Sequence, residues 1–402
     1  MSGERHVLVV NAGSSSLKYR LVDADDGSTA ASGLVSEVGG RAHWRHTAAG
    51  DVVHDEDVEC PDHAAAFGLA RDALGIGGAG LAEEDLVGVG HRVVHGGERF
   101  RAPVVADAEV LGAIRDLVPL APLHNPANVE GMVRAAEAFP GVPHVAVFDT
   151  AFHGTLPPAA DTYAVPRQWR EEHRVRRYGF HGTSYAYVSR RTARLLGRPL
   201  EDLRMVVLHL GNGASACAVD GGRSVDTSMG LSPVEGLVMG TRSGDVDPAL
   251  GGYLARVGGL DAAGYDRALN RDSGLLALAG ASDFRTVADR AAAGDPKARL
   301  ALDVTVHRLV QYVGAYAAVL GRLDALVFTA GIGENSPVLR EAVCTRLGLL
   351  GVDLDRSANA AGSPERRVST PGSAVEVWVV PTDEEREIAR ETLRVLGSTP
   401  DW

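Results

Sequence analysis

The sequence predicts an α/β protein made of two similar units, and three observations carry that expectation. At 402 residues the chain is longer than one hydrophobic core organises, because domains run to roughly 100–200 residues. A strand, a small-residue turn and a second strand occur at the start and again roughly two hundred residues later, a long-period repeat. Helical stretches fill the intervals, and no Pro/Gly/Ser-rich linker or low-complexity tract separates them.

The first strand is expected over His6–Val10, the turn over Asn11–Ser16 and the second strand over Leu17–Val22, with Leu17, Tyr19 and Leu21 on one face. The repeat has an apolar run at Met205–Leu210, a turn at Gly211–Ser215 and a short strand reaching an Asp-Gly-Gly turn at Asp220. A third loop, at residues 330–335, follows the strand Ala325–Thr329 and precedes Ser336-Pro337, a good N-cap and first helical residue. Helices are expected over Thr183–Leu196, ending at Gly197, over Ala298–Leu320, and from about Asp383 to Leu396. Thr382 and Glu385 have the spacing of a capping box for the last helix, and Ile388, Ala389, Leu393 and Leu396 form its apolar face.

Composition narrows the function classes. Hydrophobic residues at 45% and charged residues at 23% describe a folded chain, well away from disordered composition. The opening residues lead into a short apolar run without a cleavable h-region, and no 18 consecutive residues are apolar, so a cytoplasmic protein without membrane association is expected. Cys60, Cys217 and Cys344 are few and scattered, which indicates neither a disulfide framework nor a zinc cluster. A net charge of −12 without a basic block argues against a nucleic-acid surface. A small anion then requires positive charge focused locally, which makes arginines beside glycine loops informative. Of the 40 basic residues only Lys18 and Lys297 are lysine, and Lys18 adjoins a Gly/Ser turn.

Several segments have chemistry beyond packing. Asn11–Lys18 offers backbone N–H groups, hydroxyls including Ser14 and Ser16, and an ammonium, which suits a phosphate chain. The same segment also reads as a tight hairpin turn. Arg92 lies near the pair Gly96-Gly97, and His124 is framed by Pro122 and Pro126. Asp149 ends the apolar strand Val145–Phe148, where open α/β sheets place functional carboxylates and where turns also place aspartates. Arg176–Ser184 gathers two arginines, two aromatics and His181 around glycines before a helix, and Arg242 falls in a segment too glycine-rich for a regular element.

These blocks resemble the acetate kinase family, part of the acetate and sugar kinase, Hsp70 and actin superfold. The carriers are VLVVNAGSSSLK at the start, RRYGFHGTS in the middle, then HLGNGAS, GTRSGDVDP, GIGEN and TDEE. The resemblance covers essentially the whole chain. It implies two actin-like (ribonuclease H-like) domains facing a nucleotide cleft. The N-terminal domain would span residues 1–150, with the helix 386–402 packing back on it. Residues 151–385 would form a C-terminal domain for nucleotide binding and dimerisation.

Carried over position by position, the resemblance implies that Asn11 and Glu384 hold Mg2+, for which Mn2+ can substitute. Asp149, His181, Arg242 and Arg92 would be catalytic, with Arg92 on the acetate carboxylate. Val94, Leu123, Phe180 and Pro233 would wall the acetate methyl group, with His124 beside it. ATP would meet Ser14, Ser16 and Lys18, then His209, Leu210, Gly211, Asn212 and Gly213. Further nucleotide contacts would come from Asp283, Phe284 and Arg285 and from Gly331, Ile332, Gly333, Glu334 and Asn335. Three departures from the family pattern occur. Ala330 replaces a frequent glycine, Leu231-Ser232 replaces a commoner Phe-Thr, and the loop before Asp283 is a residue short.

The expected activity is reversible, Mg2+-dependent transfer of the γ-phosphoryl group of ATP to acetate, giving acetyl phosphate and ADP, by a homodimer. A kinase for propionate or butyrate is the near alternative. A nucleotide-switched protein of the actin or Hsp70 kind is the alternative of another class, although it leaves the cluster of Arg92, His181 and Arg242 without a purpose. Glu384 also has a simpler reading, as an acidic residue favoured in a first helical turn by the helix dipole.

Overall fold

The computed structural model describes residues 5–75 and 85–402. It forms two compact units, one running through Phe152 and completed by Asp383–Trp402, the other comprising His153–Thr382. No helix among the described residues is long and apolar enough to cross a membrane.

The first unit contains β1 (His6–Gly13), β2 (Ser16–Asp23), β3 (Thr29–Ser36), β4 (Gly40–Ala48), β5 (Asp51–Cys60), β6 (Leu86–Val93), β7 (Val104–Val105) and β8 (His144–Phe148). They join in the order β5-β4-β3-β2-β1-β6-β8-β7. β1 through β5 pair as an antiparallel meander, whereas β6 lies parallel to β1 and to β8. Strand alternation gives the sheet two apolar faces. Leu8, Val10, Leu17, Tyr19 and Leu21 pack with Phe67, Ala70 and Ala135 of the helices His63–Ala73 and Asn125–Ala138. On the opposite face, Val7, Val9, Val145 and Val147 pack against Ile388, Ala389 and Leu393 of the helix Glu384–Val395.

That second face depends on glycine. A Cβ on Gly88 would lie 2.6 Å from Leu396 Cδ1, and one on Gly90 would lie 2.4 Å from Thr392 Oγ1 and 2.8 Å from Ile388 Cγ2. The helix therefore rests on bare β6 backbone. Its start differs from the expected capping box. Asp383 is the N-cap and its carboxylate accepts from Arg386 N at 3.1 Å. Glu385 instead pairs with Lys18 and Arg20. Two cations are worth more to that carboxylate than one orphan backbone N–H.

The expected turn at Asn11–Ser16 is also shorter than read. The ladder continues until Gly13 opposes Ser16, so only Ser14 and Ser15 form the turn, and Asn11 stands directly opposite Lys18. A two-residue connection is the favoured hairpin closure. A Cβ on Gly13 would approach Ser16 Oγ to 2.8 Å.

In the second unit, β9 (Arg204–Leu210), β10 (Ala214–Asp220), β11 (Arg223–Thr227), β12 (Ala325–Thr329), β13 (Arg366–Arg367) and β14 (Glu376–Val379) take the order β11-β10-β9-β12-β14-β13. β9, β10 and β11 form an antiparallel meander, and β12 runs parallel to both β9 and β14. The order of β3-β2-β1-β6-β8 in the first sheet thus recurs in the second. The helix Pro296–Leu320 packs on β9 and β10, and Gly182–Leu196 packs on β9. Both helices end on a left-handed glycine, Gly321 and Gly197. Residues 330–335, expected as a loop, form the short helix Ala330–Asn335. Ser336 then caps the helix Pro337–Thr345 through Leu339 N, as the sequence indicated.

Gly90→Ala is expected to destabilise the first unit by about 1–3 kcal/mol, the usual result of adding a methyl group where no space exists. Urea denaturation should show a lower midpoint at unchanged slope. An unchanged midpoint would mean that the C-terminal helix does not hold this position on β6.

Candidate active site

In the first unit the parallel strands β1, β6 and β8 end together. Asn11, Arg92 and Asp149 lie at those ends in phase with Val7, Val9, Gly90, Val145 and Val147, on the face that the C-terminal helix covers. That helix begins at Glu384. The Arg92 guanidinium grips Asp149 with Nε at 3.0 Å and Nη2 at 2.7 Å from Oδ2, and Glu384 Oε2 stands 3.9 Å from Nε. Arg92 Nη1 has no hydrogen-bond partner among the described residues.

Two buried asparagines hold the strand ends in place. Asn128 Nδ2 donates to Ala12 O at 3.0 Å while its Oδ1 accepts from Val94 N at 3.0 Å. Asn125 donates to His95 O and accepts from His95 N. His124, at the N-cap position of the same helix, makes no side-chain capping bond, and Leu123 before it is 55% exposed. Val94, His124 and Leu123 are thus carried on segments that the two asparagines tie to β1 and β6.

Charge in this region is dense. Arg92 pairs with Asp149 and Glu384, and Lys18 and Arg20 pair with Glu385 and Asp383, two neighbouring sets of ion pairs. Burial, with the negative charges of Asp149 and Glu385, pushes the Glu384 carboxyl above the usual carboxylate range, although Arg92 and Lys18 pull the other way. Burial acts on Glu385 too, but Arg20 and Lys18 hold it below that range. Asp149 chiefly, and Glu384 after it, raise the Arg92 guanidinium above its usual value. Carboxylate and amide oxygens are hard donors of the kind Mg2+ takes. Among the described residues no three His, Cys, Asp or Glu side chains converge as a complete metal cage.

In the second unit, His181 and Arg242 flank the turn after β9. A Cβ on Gly213 would lie 3.3 Å from Arg242 Nη1 and 3.6 Å from His181 Nε2. His181 has left-handed backbone, φ 59°, as the N-cap of Gly182–Leu196, a conformation that histidine tolerates better than most side chains. Its ring stacks on His209 with centroids 4.1 Å apart. Arg242 Nη1 donates to Pro233 O at 3.1 Å and reaches Met239 Sδ at 3.8 Å. No carboxylate pairs with Arg242 among the described residues, and burial lowers its guanidinium below the usual value. Phe180, next to His181, is buried and its carbonyl accepts from His153 Nε2 at 2.9 Å.

A groove of about 390 Å³ opens beside the same turn, lined among others by Gly211, Asn212, Asp283, Phe284, Arg285 and Gly331. Ile332 and Asn335 also line it, whereas His209, Leu210, Gly213, Gly333 and Glu334 do not. Asp283 has a structural duty as well. It caps the helix Phe284–Ala292, accepting from Thr286 N at 2.8 Å, and those bonds lower its carboxyl. Ala330 takes φ 63°, the left-handed region that glycine occupies at least cost. Buried Arg340 then fixes the end of this short helix, donating to Gly333 O at 2.7 Å and Glu334 O at 2.9 Å.

Each sequence-derived candidate therefore has a definite place. The first unit carries Asn11, Ser14, Ser16, Lys18, Arg92, Val94, Leu123, His124, Asp149 and Glu384, and the second carries the remainder. Arg176 and Arg177, whose density had suggested function, are structural. Arg176 pairs with Asp161 at 2.5 Å, while Arg177 pairs with Glu235 and donates to the carbonyls of Thr227, Ser228 and Met229. The sequence reading passed over Asn125, Asn128, Ser215 and Arg340. Strand alternation alone could have found Ser215, since it places Ser215 beside His209 across the β9–β10 pair.

Comparison with known proteins agrees with this geometry. The model of the acetokinase family matches residues 6–390. An acetate kinase of Leifsonia xyli subsp. xyli is 58% identical over 394 residues, covering 98% of this chain and 99% of the relative. The crystal structure of Porphyromonas gingivalis acetate kinase superimposes with a TM-score of 0.92 at 43% identity, covering 98% of this chain and 100% of that one. A propionate kinase from Francisella tularensis gives 0.89 at 38%, covering 97% and 100%. With nearly its whole length matched, the chain belongs to the acetokinase family.

Proposed function

We propose that this chain transfers the γ-phosphoryl group of ATP directly to acetate, reversibly, giving acetyl phosphate and ADP. Arg242 is the observation that carries the reading. A half-buried guanidinium without a carboxylate partner among the described residues, next to His181 and a nucleotide-sized groove, is costly unless an anion arrives to pair with it.

Acetate is ionised at neutral pH, as a carboxylic acid with a pKa near ~4.3 must be. No general base is needed to activate it. The barrier is the approach of one anion to another, which positioning and charge neutralisation lower. Arg92, with Asp149 occupying Nε and Nη2, offers Nη1 to the acetate carboxylate. Val94, Leu123, Phe180 and Pro233, with His124 nearby, bound the methyl group. Arg242 and His181 donate to the phosphoryl oxygens as charge spreads over them. Ser14, Ser16 and Lys18 serve the phosphates, and the segments 209–213, 283–285 and 331–335 hold the nucleotide. Asn11 and Glu384 would hold Mg2+, or Mn2+ in its place, which when bound would supply positive charge to the phosphate oxygens. Asp149 orients Arg92, would help orient the metal when it is bound, and transfers no proton. The enzyme acts in the cytoplasm, where its three free, buried cysteines stay reduced.

Likeness to a propionate kinase supports the neighbouring acid as a second substrate. ADP formation is expected with acetate, at a lower kcat/KM with propionate and far lower with butyrate, since an apolar pocket discriminates by only ~1–3 kcal/mol per methylene. Arg242→Ala should reduce kcat with each acid and change the acetate KM little. Equal kcat/KM for acetate and butyrate would refute the acetate reading, and an Arg242→Ala effect confined to KM would remove that residue from transfer.

Glu384→Gln removes a carboxylate that burial already disfavours as an anion. The metal-free protein should melt no lower than wild type, because a raised carboxyl pKa means that the ionised form costs stability above it and the neutral amide does not. The Mg2+ concentration for half-maximal activity should rise at least about tenfold. A lower melting temperature with unchanged Mg2+ dependence would return Glu384 to its simpler role at the helix start.

We also propose a homodimer formed through the second unit. The helix Leu250–Gly258 has no buried residue and exposes Tyr253 by 53% and Val257 by 63%, a surface suited to burial against a second copy. Light scattering should give twice 42.1 kDa, falling to that mass in a Tyr253→Asp/Val257→Asp variant. A wild-type monomer would refute the assignment.

A further inference from the structure

His181 and His209 present an unusual pair of stacked imidazoles, each held at Nδ1 by a serine. Ser215 Oγ lies 2.8 Å from His181 Nδ1, and Ser184 Oγ lies 2.8 Å from His209 Nδ1. Behind Ser215 stands the fully buried phenol of Tyr185, with OH to Oγ at 2.5 Å. Ser215 belongs to β10 opposite His209 on β9, and Tyr185 and Ser184 belong to the first turn of Gly182–Leu196. The arrangement is therefore built by two regular elements.

Polarity follows from counting protons. Burial pushes the Tyr185 phenol well above its usual value, so it keeps its proton and can donate it to Ser215. A hydroxyl has one proton and two lone pairs. Ser215 Oγ is buried and its side-chain partners are Tyr185 and His181, so with Tyr185 donating into its oxygen the Ser215 proton is satisfied only at His181 Nδ1, which is then an unprotonated acceptor. Stacking on His209 at 4.1 Å disfavours two cationic rings, because like charges at that separation repel. The remaining tautomer of a neutral His181 carries its proton on Nε2, the nitrogen turned toward Gly213 and Arg242.

We propose that Ser215, backed by Tyr185, is a positioning residue that fixes the His181 ring and holds its proton on Nε2, so that a neutral imidazole donates to the phosphoryl group in transit. This rests on the placement of His181 at that group in the proposed reaction. A neutral donor fixed in advance stabilises developing charge without first binding a proton and with no reorientation at the moment of transfer.

The test uses the full-length protein labelled with 15N-histidine, with His181 assigned by loss of its signals in His181→Gln. Wild type should show a protonated Nε2 and an unprotonated Nδ1, and Ser215→Ala a mixture of tautomers. Ser215→Ala should lose about tenfold to a hundredfold in kcat, the usual cost of removing a supporting hydrogen-bond partner. KM for acetate and ATP should stay within about twofold. Ser215→Thr should restore both tautomer and rate, and Tyr185→Phe should shift both in the direction of Ser215→Ala. A wild-type His181 protonated on Nδ1 would overturn the proposal without reference to any variant. Near-wild-type kcat in Ser215→Ala beside a collapsed His181→Ala would remove Ser215 alone. Full kcat in His181→Ala would remove the functional reading on which the proposal rests.

Discussion

The burial of Arg92 at the end of β6 is the constraint on which the first unit turns. A guanidinium withdrawn from water needs anionic partners with good geometry, and Asp149 supplies one from the end of β8 while Glu384 approaches from the helix that covers both strands. Neither carboxylate is near Arg92 in sequence. The register of β1, β6 and β8 brings the first together, and Gly88 and Gly90 let the C-terminal helix come close enough for the second. The same glycines that keep the sheet bare thus decide where a charged site can form.

The second unit repeats the sheet order but treats charge differently. Its arginine, Arg242, is left with a carbonyl and a thioether in place of a carboxylate, so its charge is unspent among the described residues. Where the first sheet closes its first hairpin with Ser14-Ser15, the second opens a glycine-bearing turn at Gly211–Gly213 that lets Arg242 and His181 approach the backbone. One topology therefore carries two kinds of charge site, one where the arginine is paired with carboxylates and one where it is not.

Local departures from expectation share one cause, tertiary competition for the same atoms. Glu385 had the spacing to close a capping box with Thr382, but Lys18 and Arg20 claim its carboxylate, Asp383 caps the helix, and Thr382 Oγ1 bonds Ser184 Oγ instead. Residues 330–335 looked like a loop because of their glycines, yet Arg340 holds the Gly333 and Glu334 carbonyls and the segment winds into a helix. Arg176 and Arg177 looked functional because charged density near glycines is rare in a core. Their partners, Asp161 and Glu235, lie 15 and 58 residues away, beyond any local pattern.

By itself the sequence determined the two-unit α/β plan, the helix ends at Gly197 and Leu320, the Ser336 cap, the apolar stripe Ile388, Ala389 and Leu393, and the side chains with chemistry to offer. Those features depend on periodicity, capping and backbone conformation, all of which operate within a few residues. Only the tertiary structure decided which charges meet, that Asn125 and Asn128 hold the ends of β1 and β6, that Ser215 and Tyr185 stand behind His181, and that Ala330 occupies a left-handed position. Such pairings depend on strand register and helix approach, and these are fixed by packing across hundreds of residues, which no local pattern in the chain records.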